Sequence, residues 1–202
     1  MLIEHEGNRP TVAESAYVAP TAVLCGDVKI GPDSRVLFGA VLTAEGGPIE
    51  LGERCIVMEN AVVRGREGHP AVLGDHVLVG PHAHVNGAVV ENDVFLATGV
   101  SVFPGARIGR GSEVRVGGVV QVNSTVPEET TVPIGWIAVG DPAELFPPEA
   151  HDRLWPIQRS MDFPRTVFGL ERAEATMEGV SALYAERFGL HRDDQIGDEP
   201  AK

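Results

Sequence analysis

The sequence predicts a left-handed parallel β-helix, and three observations support this fold class. Between residues 18 and 132 an aliphatic side chain stands at almost every sixth position. Four positions after most of them comes a small or β-branched residue, which fits a tight corner. The composition, 43% hydrophobic but 5% aromatic, suits an interior of stacked Val, Ile and Leu. A hexapeptide period is typical of short strands stacked into a solenoid, and three hexads per turn predict about six turns.

The aliphatic series identifies the inward positions of the predicted strands. Its members are Val18, Leu24, Ile30, Val36, Leu42, Leu51, Val57, Val63, Leu73, Val79, Val85, Val90, Leu96, Val102, Ile108, Val114, Val120, Val126 and Val132. Cys55 falls at an inward small position, whereas Cys25 falls on a different face. A disulfide between them is therefore not expected.

Three irregular spacings interrupt the hexads. The step is nine residues at 42–51, ten at 63–73 and five at 85–90. All three follow the same face of the predicted prism, because the residues that open them lie one above another. Extra backbone has to leave the solenoid as a loop, and loops of this kind often carry function.

The residues that follow these three positions predict a polar column on the outside of that face. Thr43, Arg64 and Asn86 occupy equivalent places on consecutive turns, about 4.8 Å apart. Glu45 and Arg66 stack in the same way. This column is the first candidate for a binding site.

A change of period divides the chain. Residues 1–145 form the predicted β-helix domain, and after Pro147 the hexads stop. Between Leu170 and Phe188, apolar residues at steps of three and four predict an amphipathic helix that ends at Gly189. We expect residues 146–191 to be a helical segment that packs on the β-helix, and the charged residues 192–202 to be a frayed, disordered tail.

Charge and composition restrict the function. The formal net charge is −13, so the basic patches that bind nucleic acid or anionic membranes are not expected. No apolar run approaches the length of a membrane span, and no leader sequence is evident. We therefore expect a cytoplasmic protein without a nucleic-acid or membrane partner.

Several short stretches resemble the γ-class carbonic anhydrase family of left-handed β-helix proteins. They are Val-Lys-Ile-Gly at 28–31, Phe-Gly-Ala-Val-Leu at 38–42, Leu-Gly-Glu at 51–53, Leu-Gly-Asp-His-Val at 73–77 and Ala-Val-Gly-Asp-Pro-Ala at 138–143. The resemblance covers roughly residues 10 to 145. It implies a homotrimer with metal sites at the subunit interfaces, each built from two histidines of one subunit and one of the next.

The positions that this resemblance assigns to the metal ligands hold other residues. The three ligand positions are Arg64, Pro81 and Asn86, and the accompanying polar positions of the family are Thr43, Glu45, Met58 and Glu59. Arginine stays protonated and proline has no donor atom in its side chain, so this set does not suit a divalent cation. The resemblance thus implies a degenerate metal site, no cofactor and no hydration of carbon dioxide.

Arg64 has two interpretations. In one, its fixed charge replaces the cation and holds a small carboxylate or bicarbonate-like anion at the interface, near Glu45, Glu59 and the amide of Asn86. In the other, Arg64 pairs with Glu45 or Glu59 and stabilises the trimer. The second interpretation is a structural role without a ligand.

Other functions stay open at this level. His82 and His84, with His69 from a loop, are candidates for a relocated metal site, because an H-x-H pair on a strand would place both imidazoles on one face. The same histidines could serve as the general base of a coenzyme A-dependent acyltransferase, with Arg107, Arg110 and Arg115 as candidates for the nucleotide phosphates. A non-catalytic scaffold is the third class.

His5, His76, His151 and His191 are interpreted as ordinary surface or capping histidines. The complete candidate interface pocket is Thr43, Glu45, Met58, Glu59, Arg64, His69, His82, His84 and Asn86.

Overall fold

The computed structural model describes residues 1–197 and shows a left-handed β-helix with three parallel faces. The first face contains β1 (Leu2–Glu4), β4 (Val23–Cys25), β7 (Val41–Glu45), β10 (Val62–Arg66), β13 (His84–Asn86), β16 (Ser101–Val102), β19 (Val119–Val120) and β22 (Ile137–Gly140). The second contains β2 (Thr11–Val12), β5 (Val28–Ile30), β8 (Ile49–Leu51), β11 (Ala71–Leu73), β14 (Val89–Val90), β17 (Arg107–Ile108) and β20 (Thr125–Val126). The third contains β3 (Tyr17–Val18), β6 (Arg35–Val36), β9 (Ile56–Val57), β12 (Leu78–Val79), β15 (Phe95–Leu96), β18 (Glu113–Val114) and β21 (Thr131–Val132).

The predicted aliphatic positions form the core. From Leu24 to Val132 every one of them is at most 4% exposed, so the fold class is confirmed. The small corner residues are buried with them. Ser34 is fully buried, and its hydroxyl donates to the carbonyl of Gly52 and accepts from the amide of Cys55, each at 2.9 Å. These bonds satisfy a polar group that would otherwise be costly inside an apolar prism.

The solenoid has about eight turns rather than the six that the hexads predict. The first face gains β1 before the first hexad position and β22 after the last one. In these end coils the aliphatic period is weaker because one side of each coil meets another element or solvent. Both cysteines are free and buried, as expected.

Three α-helices follow the solenoid within residues 1–197. An antiparallel strand, β23 (Ala143–Phe146), pairs with β22 and leads into α1 (His151–Ser160), α2 (Phe163–Phe168) and α3 (Met177–Gly189). The predicted helix is correct from Met177 onward. It starts later than the apolar stripe because the Thr176 hydroxyl caps it, accepting from the amide of Gly179 at 3.1 Å. In the described part of the chain, residues 1–197, no helix combines the length and apolarity that crossing a bilayer requires.

The prediction of a disordered tail from residue 192 is wrong for residues 192–197. A short 3₁₀ helix (Leu190–Asp193) leads into β24 (Gln195–Gly197), which pairs antiparallel with β1. The sequence suggested solvation because this segment is charged. The open edge of β1 and the contacts of Asp194 described below hold it instead. Residues 198–202 lie outside the described residues.

Candidate functional site

The polar column, which consists of Thr43, Arg64 and Asn86, lies on three adjacent strands of the first face. Arg64 on β10 pairs in register with Thr43 on β7 and with Asn86 on β13. The register that the sequence predicts is therefore correct. All three side chains point outward, because the flanking residues of each strand are buried in the core.

Each member of the polar column has a buried polar atom that lacks a hydrogen-bond partner among residues 1–197. These atoms are the Thr43 hydroxyl oxygen, Arg64 Nε and Asn86 Oδ1. Asn86 as a whole is only 7% exposed. Buried polar groups are nearly always satisfied in folded proteins, so three unpaired atoms on one column point to a missing partner.

The guanidinium of Arg64 lies beneath the C-terminal helix. Its Cζ is 5.7 Å from the centroid of the Phe188 ring, within the range of a cation–π interaction. No carboxylate of residues 1–197 forms an ion pair with Arg64. The expected pairing with Glu45 or Glu59 is therefore wrong within one chain. Glu45 is turned toward the C-terminal segment, where its Oε1 lies 3.3 Å from His191 Nε2.

Arg66 stacks above Glu45 as the register predicts, but it serves the helices. It is 6% exposed, and its Nη2 donates to the carbonyl of Val167 and to the hydroxyl of Tyr184. Two arginines thus lie side by side on β10. Burial and the charges of Arg64 and Arg66 lower the pKa of His84, so this half-buried imidazole favours its neutral form.

The other predicted pocket residues are distributed over three places. His69 borders a cavity of about 400 Å³ that Arg66, Phe168 and Leu183 also line. Met58 lies on the third face, where it lines an apolar cavity of about 410 Å³ together with Pro81. Glu59 is half-buried at the corner that follows β9.

The predicted H-x-H pair does not share a strand. His82 occupies an exposed corner with φ of 57°, and only His84 belongs to β13. In the described part of the chain, the only group of three or more metal-ligating side chains with ligand atoms within 4.8 Å of one another lies elsewhere, so His69, His82 and His84 form no such site within one chain.

That group is the N-terminal cluster: His5, Cys25, His191 and Asp194. The interpretation of His5 as a surface residue is wrong, because it is 4% exposed. His191 is half-buried. The three-residue spacing of His191 and Asp194 was the one local signal. Their approach to His5 and Cys25 depends on β24 pairing with β1, which hexad counting does not reveal.

The ligand positions implied by the resemblance do not fit a metal ion in chemical terms. Arg64 and Asn86 are neighbours on the first face, but Arg64 is a cation and an amide oxygen is a weak ligand for zinc. Pro81 lies near the corner after β12 and offers no side-chain donor. The donor set of the polar column instead suits an anion.

The arginines considered for nucleotide binding are paired with carboxylates. Arg107 lies 3.6 Å from Glu91, and Arg110 lies 3.7 Å from Glu128. Arg115 pairs with Glu113 on the third face. Each charge is compensated locally, so the terminal coils present no cluster of free cations within residues 1–197.

Comparison with known proteins identifies relatives over about half of the chain. Gamma carbonic anhydrase 1, mitochondrial, from Arabidopsis thaliana is 31% identical over 99 residues, which is 46% of this chain and 36% of that protein. A carbonic anhydrase from Geobacillus kaustophilus is 26% identical, over 49% of this chain and 54% of its own length. The match thus spans only about a third to a half of these relatives. No protein-family model matches the chain.

The solved structures agree on the fold. A Bacillus cereus protein named as an acetyltransferase superposes with a TM-score of 0.56 and 24% identity, over 78% of this chain and 90% of that one. At this identity the likeness concerns the solenoid and not the activity. The sequence matches thus make the chain similar to gamma carbonic anhydrases over about half of its length, and the solved structure supports the solenoid fold alone.

Proposed function

We propose that the polar column binds a small carboxylate or bicarbonate-like anion, in a homotrimer that lacks the metal site of the carbonic anhydrases and does not hydrate carbon dioxide. The single observation that supports this most is the set of unpaired buried atoms on Thr43, Arg64 and Asn86. A partner absent from one chain would satisfy all three.

The donors and acceptors of the polar column match a hydrated or hydroxyl-bearing anion. Arg64 Nε–H and the Thr43 hydroxyl can donate to carboxylate oxygens, and charge-assisted bonds of this type are roughly twice as strong as neutral ones. Asn86 Oδ1 can accept from a hydroxyl such as that of bicarbonate.

Self-association is supported by the third face. Ile134 is 71% exposed and Val116 is 49% exposed, and both line the apolar cavity that contains Met58 and Pro81. A second copy of the chain would cover these side chains and bring its own residues toward the neighbouring first face.

A cytoplasmic location remains a prediction, and the plant relatives are named as mitochondrial.

The test is the substitution Arg64→Ala, read out by binding of ¹³C-labelled bicarbonate in NMR and by light scattering. If Arg64 holds the anion, binding weakens by about two orders of magnitude while the trimer persists, since two or more charge-assisted bonds of about 1.5–3 kcal/mol are lost. Arg54→Ala is the matched control, because Arg54 is 61% exposed and pairs only with Glu53.

Two results would contradict the proposal. Unchanged bicarbonate binding in the Arg64→Ala variant would show that Arg64 does not hold the anion. Loss of the trimer without any bicarbonate binding by the native protein would favour the purely structural role, in which Arg64 pairs with a carboxylate of another subunit.

A further inference from the structure

The N-terminal cluster joins the first coils of the solenoid to the end of the described chain. His5 follows β1, Cys25 ends β4, and His191 and Asp194 flank the turn before β24. Their ligand atoms all lie within 4.8 Å of one another. His5 and Cys25 are 4% and 3% exposed, so half of the set is rigidly held in the fold.

The two imidazoles are oriented in the same way. Nδ1 of His5 lies 2.6 Å from Asp194 Oδ1, and Nδ1 of His191 lies 2.8 Å from Asp194 Oδ2. The rings stack with centroids 4.3 Å apart and an interplanar angle of 23°. The Cys25 sulfur lies 3.8 Å from Asp194 Oδ2, so both Nδ1 atoms, the thiol and the carboxylate converge on one point.

A second layer of carboxylates faces the opposite ring nitrogens. Nε2 of His191 lies 3.3 Å from Glu45, and Nε2 of His5 lies 3.6 Å from Glu6. A histidine that binds a metal almost always donates its other ring N–H to a carboxylate, carbonyl or water, which fixes the tautomer and the orientation. Here both imidazoles have that arrangement, with Nδ1 directed inward.

The electrostatics of the N-terminal cluster favour a cation. The carboxylates of Asp194, Glu45 and Glu6 each lie within 3.6 Å of a ring nitrogen of His5 or His191. Binding of a divalent ion would release the thiol proton and the Nδ1 protons to solvent.

We propose that the N-terminal cluster is a structural binding site for a zinc-type divalent cation, with His5 Nδ1, Cys25 Sγ, His191 Nδ1 and Asp194 as ligands. Two imidazoles, one thiolate and one carboxylate make a tetrahedral set that suits Zn²⁺. Ligand atoms around such an ion lie about 3.3–3.8 Å apart, so only small shifts are required. Four protein ligands leave no open position for substrate, which distinguishes this site from a catalytic one.

The site is accessible to an ion and shares no residue with the polar column. His5 and Glu6 border two surface cavities of about 370 and 310 Å³. The ion would link the first two coils to residues 191–194, so its role is to hold the C-terminal segment against the solenoid. The sequence predicts no cofactor for the protein as a whole, so the ion proposed here departs from that prediction.

The test uses the full-length protein, stripped with a chelator and titrated with Zn²⁺ and with Co²⁺. We expect one equivalent of Co²⁺ per chain, a thiolate-to-cobalt charge-transfer band, and a rise in Tm with Zn²⁺. Cys25→Ala and Asp194→Asn should abolish the band or weaken binding by about 100-fold or more, since even outer partners of metal ligands contribute 10–100-fold. Circular dichroism of both variants checks that the solenoid is intact.

Two matched controls separate this site from other histidines. His76→Ala removes an exposed histidine that also contacts an aspartate, Asp93 at 3.1 Å, and it should leave binding unchanged. His84→Ala should do the same. The proposal is overturned if the native protein shows no thiolate–cobalt band at saturating Co²⁺, which would leave the cluster as a hydrogen-bonded His–Asp contact. It is equally overturned if Cys25→Ala and Asp194→Asn bind as tightly as the native chain.

Discussion

Two sites lie on the same face of the solenoid and differ in almost every property. The polar column on β7, β10 and β13 contains a cation and three unpaired buried atoms, so it is incomplete within one chain. The N-terminal cluster beside β1 and β4 contains the carboxylate of Asp194 and is bordered by those of Glu6 and Glu45, and its members bond to one another. We propose an anionic ligand for the first site and a cation for the second. The difference shows that one repeated scaffold can support opposite electrostatics a few coils apart, because each outward position is independent of the core.

The largest effect is expected from a variant that prevents trimer formation, because only the polar column is expected to depend on the trimer. Ile134→Asp places a charge in the apolar surface that we assign to the subunit contact, and Ile134 is 71% exposed, so the isolated chain should tolerate it. We expect light scattering to show a monomer. Bicarbonate binding at the polar column should then be lost, whereas Co²⁺ binding at the N-terminal cluster should persist.

The control for this experiment is Met177→Asp, because Met177 is 74% exposed at the start of α3, outside that surface. It should remain a trimer. A native protein that is monomeric at micromolar concentration, or an Ile134→Asp variant that stays trimeric, would contradict the assigned contact.

A smaller effect is expected when a neutral member of the polar column is changed. Thr43→Val removes the hydroxyl but keeps the shape of the side chain. A hydrogen bond to a charged group contributes about 1.5–3 kcal/mol, so bicarbonate affinity should fall about tenfold or more. Thr21→Val is the control, because its hydroxyl accepts from the amide of Gly39 at a corner remote from the column. Equal losses in both variants would argue against a ligand contact at Thr43.

The smallest effect concerns how the stability of the fold depends on pH through His84, which lies next to the polar column. Burial, Arg64 and Arg66 lower the pKa of His84 in the folded state. The contribution of neutral His84 to stability is complete above the pKa that His84 has in the unfolded chain, about 6.5. This contribution is lost as the pH falls from that value toward the lower pKa of the folded state. Arg64→Gln removes one cause, so the pKa of His84 should rise and less stability should be lost on acidification.

This prediction is checked by NMR titration of His84 and by urea unfolding above and below pH 6.5. Arg54→Gln is the control and should leave the titration unchanged. A pKa of His84 that does not rise in Arg64→Gln would show that Arg64 does not face this imidazole.

The sequence predicted the solenoid well because aliphatic residues at every sixth position can all be buried only if they stack on the inside of successive coils. Leu42, Val63 and Val85 had to stack, and the register of Thr43, Arg64 and Asn86 followed directly. It failed where the side chain depends on elements without that period. His82 sits on a corner and not on a strand, and Glu45 turns to His191 instead of Arg64. The turn of Glu45 cannot be derived from hexad counting, whereas His82 directly precedes Ala83, which the hexads place at a corner.

The N-terminal cluster was missed for the same physical reason. His5 and His191 are 186 positions apart, and only the docking of β24 on β1 joins them. A charged C-terminal segment resembles a solvated tail in sequence. Its order in the structure comes from the edge strand that it covers and from the bonds of Asp194.

One measurement tests the contrast between the two sites most directly. Crystals of the protein, grown with Zn²⁺ and bicarbonate, would be examined by anomalous diffraction on both sides of the zinc absorption edge. The account predicts an anomalous peak among His5, Cys25, His191 and Asp194, together with non-anomalous density of a small anion beside Arg64. A zinc peak beside Arg64 and Asn86, with none in the N-terminal cluster, would contradict it.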